Sequence, residues 1–152
     1  MSHLVSGVVV VTTKNNESDF FGLTVSSFTS VSLDPHLVLF CLNKLSHSLS
    51  PILESGKFAV SILAEKQKSI SQKFSNSTIN KFKDTDYFLG KVSGCPMIAG
   101  ANCFVECSLY QKYEAGDHYI IIGQVENIEI VKEPCHPLAY YKRHYRILGD
   151  IC

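Results

Sequence analysis

Between residues 22 and 35 the chain reads GLTVSSFTSVSLDP, with six Ser or Thr among fourteen positions and no charge before Asp34. On an extended segment Thr24, Ser26, Phe28, Ser30 and Ser32 project to one side, while Val25, Val31 and Leu33 project to the other. One face packs and the other offers hydroxyls. Hydroxyls donate to carbonyl or phosphate oxygens, where a carboxylate would repel an anion. Ser and Thr are also ordinary on the solvent side of a strand, so the ribbon gains weight only from a second cluster, CLNKLSHS at 41–48. There Asn43, Lys44, Ser46, His47 and Ser48 bring a cation and several donors beside a short helix whose N-terminal end favours anions. Together the clusters suit a polar ligand, neutral or anionic.

The elements that must hold these residues are short strands in close succession. Residues 4–13 form a continuous β-branched run, as in a strand buried on both faces, and KNNESD follows as a turn. The chain then runs extended over 20–32, is punctuated at Asp34-Pro35, and resumes as HLVLFCL at 36–42. SLSPILESGK predicts a brief helix with Ser50 as N-cap, Pro51 in the first turn and Gly56 at its end. KFAVSIL returns to strand. Ile70 and Phe74, four apart among polar residues, predict a surface helix within 65–74, and residues 75–94 read as polar and irregular. In NCFVECSLYQ the residues Cys103, Val105, Cys107 and Leu109 share one side opposite Asn102, Glu106 and Ser108, the pattern of a half-buried strand. HYIIIGQVENIEIV makes a long strand after the turn EAGD, and PLAYYKRHYRIL closes the chain. Hairpin-like succession without long intervening helices predicts a mainly β fold, an antiparallel barrel with small helical insertions.

Composition narrows the function classes. The 152 residues suffice for one domain with a real core, and 45% hydrophobic against 18% charged residues describe a globular chain. Fourteen Lys plus Arg balance fourteen Asp plus Glu, which offers no field for nucleic acid or an anionic membrane; neither partner is expected. A near-neutral surface resists self-association poorly, so a homodimer is expected. Apolar runs fall far short of the roughly 20 residues of a membrane helix, and MSHLVSGVVVVTT reads as a strand rather than a leader. The cysteines at 41, 95, 103, 107, 135 and 152 contain no C-x-x-C and read as reduced, cytoplasmic thiols. G-x-G-x-x-G and P-loop motifs are absent, as is metal-binding spacing among the histidines at 3, 36, 47, 118, 136 and 144, so no metal site is expected.

Six blocks in order, SGVVVVTT at 6–13, GLTVSSFTSVSLDP, LVLFCLNKLSHS at 37–48, SGKFAVSIL at 55–63, GDHYIIIGQVENI at 116–128 and the closing PLAYYKRHYR, resemble the flavin reductase-like family. That resemblance implies one flavin reductase-like domain over residues 1–152, folded as an FMN-binding split β-barrel with Greek-key-like antiparallel strands. It implies that Gly22, Leu23, Thr24, Ser26 and Ser27 line the flavin ring and ribityl chain, with Ser32 nearby. Cys41, Leu42 and Asn43 would continue the ribityl contact, His47 and Ser48 would reach the phosphate, and Lys73 and Phe74 would close the far side. The expected cofactor is FMN, with FAD an alternative.

Gly116-Asp117-His118 resembles the family's Gly-Asp-His motif, which makes His118 the candidate catalytic residue beside the flavin and nicotinamide. Taken without that motif, His118 reads as a strand-start histidine bonded to its turn. Tyr140, Tyr141, Lys142 and Arg143 match a stretch that contacts the nicotinamide dinucleotide; rings can stack and the two cations can meet phosphate. The implied activity is hydride transfer from NADH or NADPH to flavin, with reduced flavin passing to a monooxygenase. A flavoprotein that keeps FMN and does not oxidise NAD(P)H is the alternative. Hydride transfer needs two stacked rings rather than a nucleophile or general base. The chain departs from the family where only residues 1–5 stand before the first strand in place of a helix, and where its paired proline becomes Asp34-Pro35-His36.

Overall fold

The computed structural model describes residues 2–148. In chain order the elements are β1 (Ser6–Gly7), β2 (Val9–Lys14), β3 (Phe20–Val25), β4 (Thr29–Leu33), β5 (His36–Asn43), α1 (Leu49–Ser55), β6 (Lys57–Ile62), a 3-10 turn Glu65–Gln67, α2 (Lys68–Ser75), β7 (Tyr87–Leu89), β8 (Pro96–Ile98), β9 (Cys103–Ala115), β10 (His118–Ile130), β11 (Leu138–Tyr141) and β12 (His144–Ile147). Seven strands form one antiparallel sheet in the order β3-β2-β6-β9-β10-β5-β4.

The two edges of that sheet, β3 and β4, are consecutive in sequence and joined only by residues 26–28. Strands spaced about 4.8 Å apart would put the edges of a flat seven-stranded sheet about 29 Å from each other. The linker reaches at most about 14 Å. The sheet must therefore curl until its edges meet, which gives the antiparallel split barrel, open at the seam where the hydroxyl ribbon lies.

Two cores follow from strand alternation. Inside the barrel lie Val9, Val11, Phe40, Leu42, Phe58, Val60 and Ile121. Outside it Val8, Val10, Ala59, Leu63, Phe74, Met97 and Leu138 pack under α2, β8 and β11. β2 serves both cores, so its continuous β-branched run is buried on both faces.

Several elements differ from the sequence reading. The ribbon is not one strand: residues 26–28 break it, and β4 carries a bulge between Ser30 and Ser32. Val31 and Leu33 then face solvent, at 47% and 81% exposure, rather than packing. α1 starts one residue after Ser48, which takes the N-cap position in place of Ser50, and ends on Gly56 at φ 63 as expected. Residues 65–67 are 3-10, and the α-helix runs from Lys68. β9 is buried on both faces over 104–107, because the loop at 90–94 covers Glu106. Residues 75–94 contain β7, which pairs with β8. No helix among the described residues is long and apolar enough to cross a membrane.

Candidate active site

Near the barrel seam the ends of β5 and β10 come together. Their antiparallel register sets His118 directly across from Asn43, and Ile120 across from Cys41. Leu42, between them, points into the barrel and is fully buried, so only its backbone is available outside. Cys41 and Asn43 therefore share the outer face with His118. The Cys41 amide donates to Ser27 Oγ at 2.9 Å, which fastens the β3–β4 connection onto this face. Asn43 Oδ1 accepts from the Leu45 amide at 2.8 Å. The Lys44 amide donates to the Asp117 carbonyl at 3.0 Å, tying the turn before His118 to the strand end that carries Asn43.

His118 itself is oriented by its neighbour. Nδ1 lies 2.8 Å from Asp117 Oδ1. An ionised carboxylate only accepts, so Nδ1 carries the proton and Nε2 is the outward nitrogen. The bond from His118 and its charge hold the Asp117 carboxyl below the usual range. The turn that makes this possible is Gly116, at φ 63, a conformation that glycine adopts without a Cβ penalty.

The other hydroxyls do structural work. Thr24 Oγ1 donates to the Ser71 carbonyl on α2 at 2.6 Å, and Ser32 Oγ accepts from the Asp34 amide at 3.2 Å. Ser26 is exposed and Leu23 packs against the barrel core. Gly22 sits where a Cβ would come within 2.8 Å of Phe74 Cε1. Phe74 is fully buried and packs in the outer core beneath β3. Lys73 Nζ donates to the Lys83 carbonyl and, at 2.7 Å, to Thr85 Oγ1, which anchors the loop after α2.

A cleft of about 560 Å³ opens beside this seam, a size usual for small-molecule sites. Residues 18–22 form one wall, residues 77 and 79–82 another, and His47 and Ser48 its foot. Of the expected site residues it gathers Gly22, His47 and Ser48. Ser48 is buried at 4% exposure. The sequence reading missed Lys81 and Phe82, which line the same cleft. Lys81 Nζ donates to the Gly22 carbonyl at 2.7 Å, and burial pulls its pKa down. The available signal was a Lys-Phe pair inside an otherwise polar stretch, NKFKDTD.

Tyr140 to Arg143 lie on a separate three-stranded sheet, β1-β11-β12. Tyr140 packs edge-on against Tyr145 with centroids 5.2 Å apart, against the outer core. Lys142 and Arg143 form the two-residue turn to β12 with φ 48 and 64, and the Lys142 amide donates to the Ser2 carbonyl at 2.7 Å.

The donor set fits a flavin. Fixed amides and hydroxyls on the outer face of β5, a half-buried ammonium and a buried serine offer hydrogen bonds to a polar ring edge and a phosphate, and phenylalanines supply apolar walls.

Comparison with known proteins identifies the family. The family model described as Flavin reductase like domain matches residues 1–149. A relative from Rhizobium meliloti is 42% identical over 124 residues, 82% of this chain; the match spans only 40% of that longer protein. The reductase subunit HsaB of a flavin-dependent monooxygenase from Mycobacterium tuberculosis is 34% identical over 146 residues, covering 95% of this chain and 77% of that one. The solved structure of the NADH:FAD oxidoreductase SgcE6 from Streptomyces globisporus superposes with a TM-score of 0.92 at 33% identity, covering 97% of this chain and 88% of that one. A match over nearly the whole sequence, joined to the same split barrel, makes this chain a member of the flavin reductase-like family.

Proposed function

We propose that the chain is an NAD(P)H:flavin oxidoreductase that moves a hydride from reduced nicotinamide to a flavin nucleotide, FMN or FAD. The observation that carries this reading is the register placing His118 opposite Asn43, on the outer face whose Cys41 amide is pinned by Ser27. The flavin, when bound, supplies the hydride-accepting ring nitrogen. The chain's own part is positional. Backbone and hydroxyl groups of Ser26, Ser27, Cys41 and Asn43 hold the ring edge and ribityl chain, while Ser48, His47 and Lys81 take the phosphate. His118, fixed by Asp117, offers Nε2 to the nicotinamide carboxamide and sets its stacking distance. Tyr140, Tyr141, Lys142 and Arg143 are assigned to the rest of the dinucleotide, a role supported by the exposed cationic turn.

Reduced flavin leaving this site would serve a monooxygenase partner, as the name of the HsaB relative indicates for that protein. Exposed apolar side chains, among them Leu33, Ile128 and Ile130, support a homodimer. The buried cysteine thiols Cys95 and Cys107 support a cytoplasmic location. The deciding experiment follows NADH and NADPH oxidation at 340 nm with added FMN or FAD. Steady turnover is expected, and no oxidation with either flavin would end the reading.

A further inference from the structure

Register sets the outer face of β5, β10 and β9 out in rows. Cys41, Ile120 and Tyr113 stand side by side in one row, and Asn43, His118 and Ala115 in the next. Ile121 is fully buried inside the barrel, so Ile120 and the residues directly across from it face outward. Neighbouring strands lie about 4.8 Å apart, which puts Tyr113 about 10 Å from Cys41, on the far side of Ile120. Tyr113 is also the diagonal neighbour of His118, a separation of about 7–8 Å that an aromatic side chain bridges. The ladder irregularity of this hairpin begins only after Ile122, so both rows keep regular pairing.

Tyr113 is 48% exposed, and among the described residues no ring stacks on it and no cation covers it. Tyr119, on the opposite face of the same hairpin, has the Lys44 and Lys112 ammoniums over its ring at 5.3 and 4.7 Å. Beside Tyr113 the apolar strip of Leu39, Cys41, Ile120 and Ile122 is only half-buried, because α1 and α2 pack on β2, β3 and β6 instead. An apolar strip left open next to fixed polar groups suits a flat heterocycle. Two such rings meet in the proposed reaction. The flavin is held from the β4–β5 side, where the Cys41 amide is fixed by Ser27, and the nicotinamide is met by His118 on β10. Tyr113 on β9 lies one strand further on, at the nicotinamide's flank.

We infer that Tyr113 is a further binding residue for the reduced nicotinamide: its ring flanks the dihydropyridine that His118 orients and keeps water from that side of the hydride path. The inference rests on the proposed flavin reduction, and the experiment separates the failure of one from the failure of the other.

Binding is read apart from turnover. The oxidised nicotinamide dinucleotide is titrated calorimetrically into the flavin-loaded chain, flavin affinity is measured by flavin fluorescence, and loss of flavin absorbance on mixing with NADH or NADPH is followed by stopped flow. Tyr113→Ala should raise the dissociation constant for the dinucleotide about tenfold, the scale of one aromatic stack, while flavin affinity holds within about twofold. Tyr113→Phe keeps the ring and should bind as the native chain does. Tyr113→Leu keeps the bulk without the flat ring and should weaken the dinucleotide as alanine does; it decides the matter where the alanine variant does not fold. Dinucleotide affinity unchanged by loss of the ring overturns the inference. A matching loss of flavin affinity also overturns it, moving Tyr113 to the flavin, as does a shift from dimer to monomer in sedimentation with dinucleotide affinity unchanged, which moves Tyr113 to a contact between copies. A native chain that binds no flavin, or binds flavin without being reduced by NADH or NADPH, overturns the functional reading as well, whereas native turnover with every Tyr113 variant at native affinity overturns this inference alone.

Discussion

Glu106 is a carboxylate at 1% exposure on a strand between two cores. Burial works to raise its pKa. Donors from Ser93, Asn127 and Val92 outweigh that and hold it below the ordinary carboxylate range. Oε2 accepts from the Val92 and Ser93 amides and from Ser93 Oγ at 3.0, 2.6 and 2.7 Å, and Oε1 accepts from Asn127 Nδ2 at 3.1 Å. A group whose folded pKa is depressed stabilises the fold above its unfolded pKa, and that stabilisation is lost as pH falls through the folded value. Glu106→Gln should therefore lower unfolding stability by about 2 kcal/mol at pH 7, with the gap to the native chain closing below about pH 4. Urea titrations at the two pH values check this; a gap that is constant with pH would contradict it. At the catalytic candidate, His118→Ala should lower kcat/KM for NADH by about tenfold or more while flavin affinity changes less than twofold. Equal losses in both would remove His118 from the nicotinamide side. The sequence placed His118 through its Gly-Asp-His context. It set Glu106 on a solvent face, because alternation along β9 cannot report a loop that folds over from 90–94.

At the element scale, Gly22 and the Lys142-Arg143 turn show how backbone space decides roles. A Cβ at Gly22 would meet Phe74 Cε1 and Cδ1 at 2.8 and 2.9 Å and Thr12 Cγ2 at 3.3 Å, so β3 can lie on α2 only without a side chain there. Gly22→Ala should cost about 1–3 kcal/mol through overpacking, and adding Phe74→Leu should return part of it; calorimetry on the two variants tests the pairing. A cost unaffected by the second change would place the clash elsewhere. The hairpin from β11 to β12 turns through two non-glycine residues at positive φ, where Asn-Gly is the favoured pair. Lys142→Asn with Arg143→Gly should raise stability by about 1 kcal/mol and, if the turn meets the dinucleotide, raise the KM for NADH. Stabilisation with an unchanged KM would reduce the turn to a structural hairpin. Neither point was visible along the chain: the Phe74 ring and Gly22 are 52 residues apart, and YKRH carries no turn signature.

Over the whole molecule, the closure of the seven-stranded sheet brings together what the linear order separates. Exposed Ile128 and Ile130 lie two apart on β10, beyond the bulge that follows Val125 and across from Val105 and Cys103, and the homodimer reading predicts a dimer by sedimentation at micromolar concentration that Ile130→Lys shifts toward monomer. A native monomer would refute it. β2, β5, β6, β9 and β10, the αL end of α1 at Gly56 and the zero net charge were legible in the sequence alone, because hydrophobic alternation, turn chemistry and charge are local properties. So was the family, through six short blocks in a fixed order. Only the tertiary structure decided which hydroxyls are bound inside the protein, that Leu42 and Phe74 are core, that Glu106 is buried, and that Lys81 bonds the Gly22 carbonyl at the edge of a cleft. Those facts depend on side chains from strands, helices and loops distant in sequence meeting at a curved sheet, and the curvature arises from a short linker forcing two edges of the sheet together.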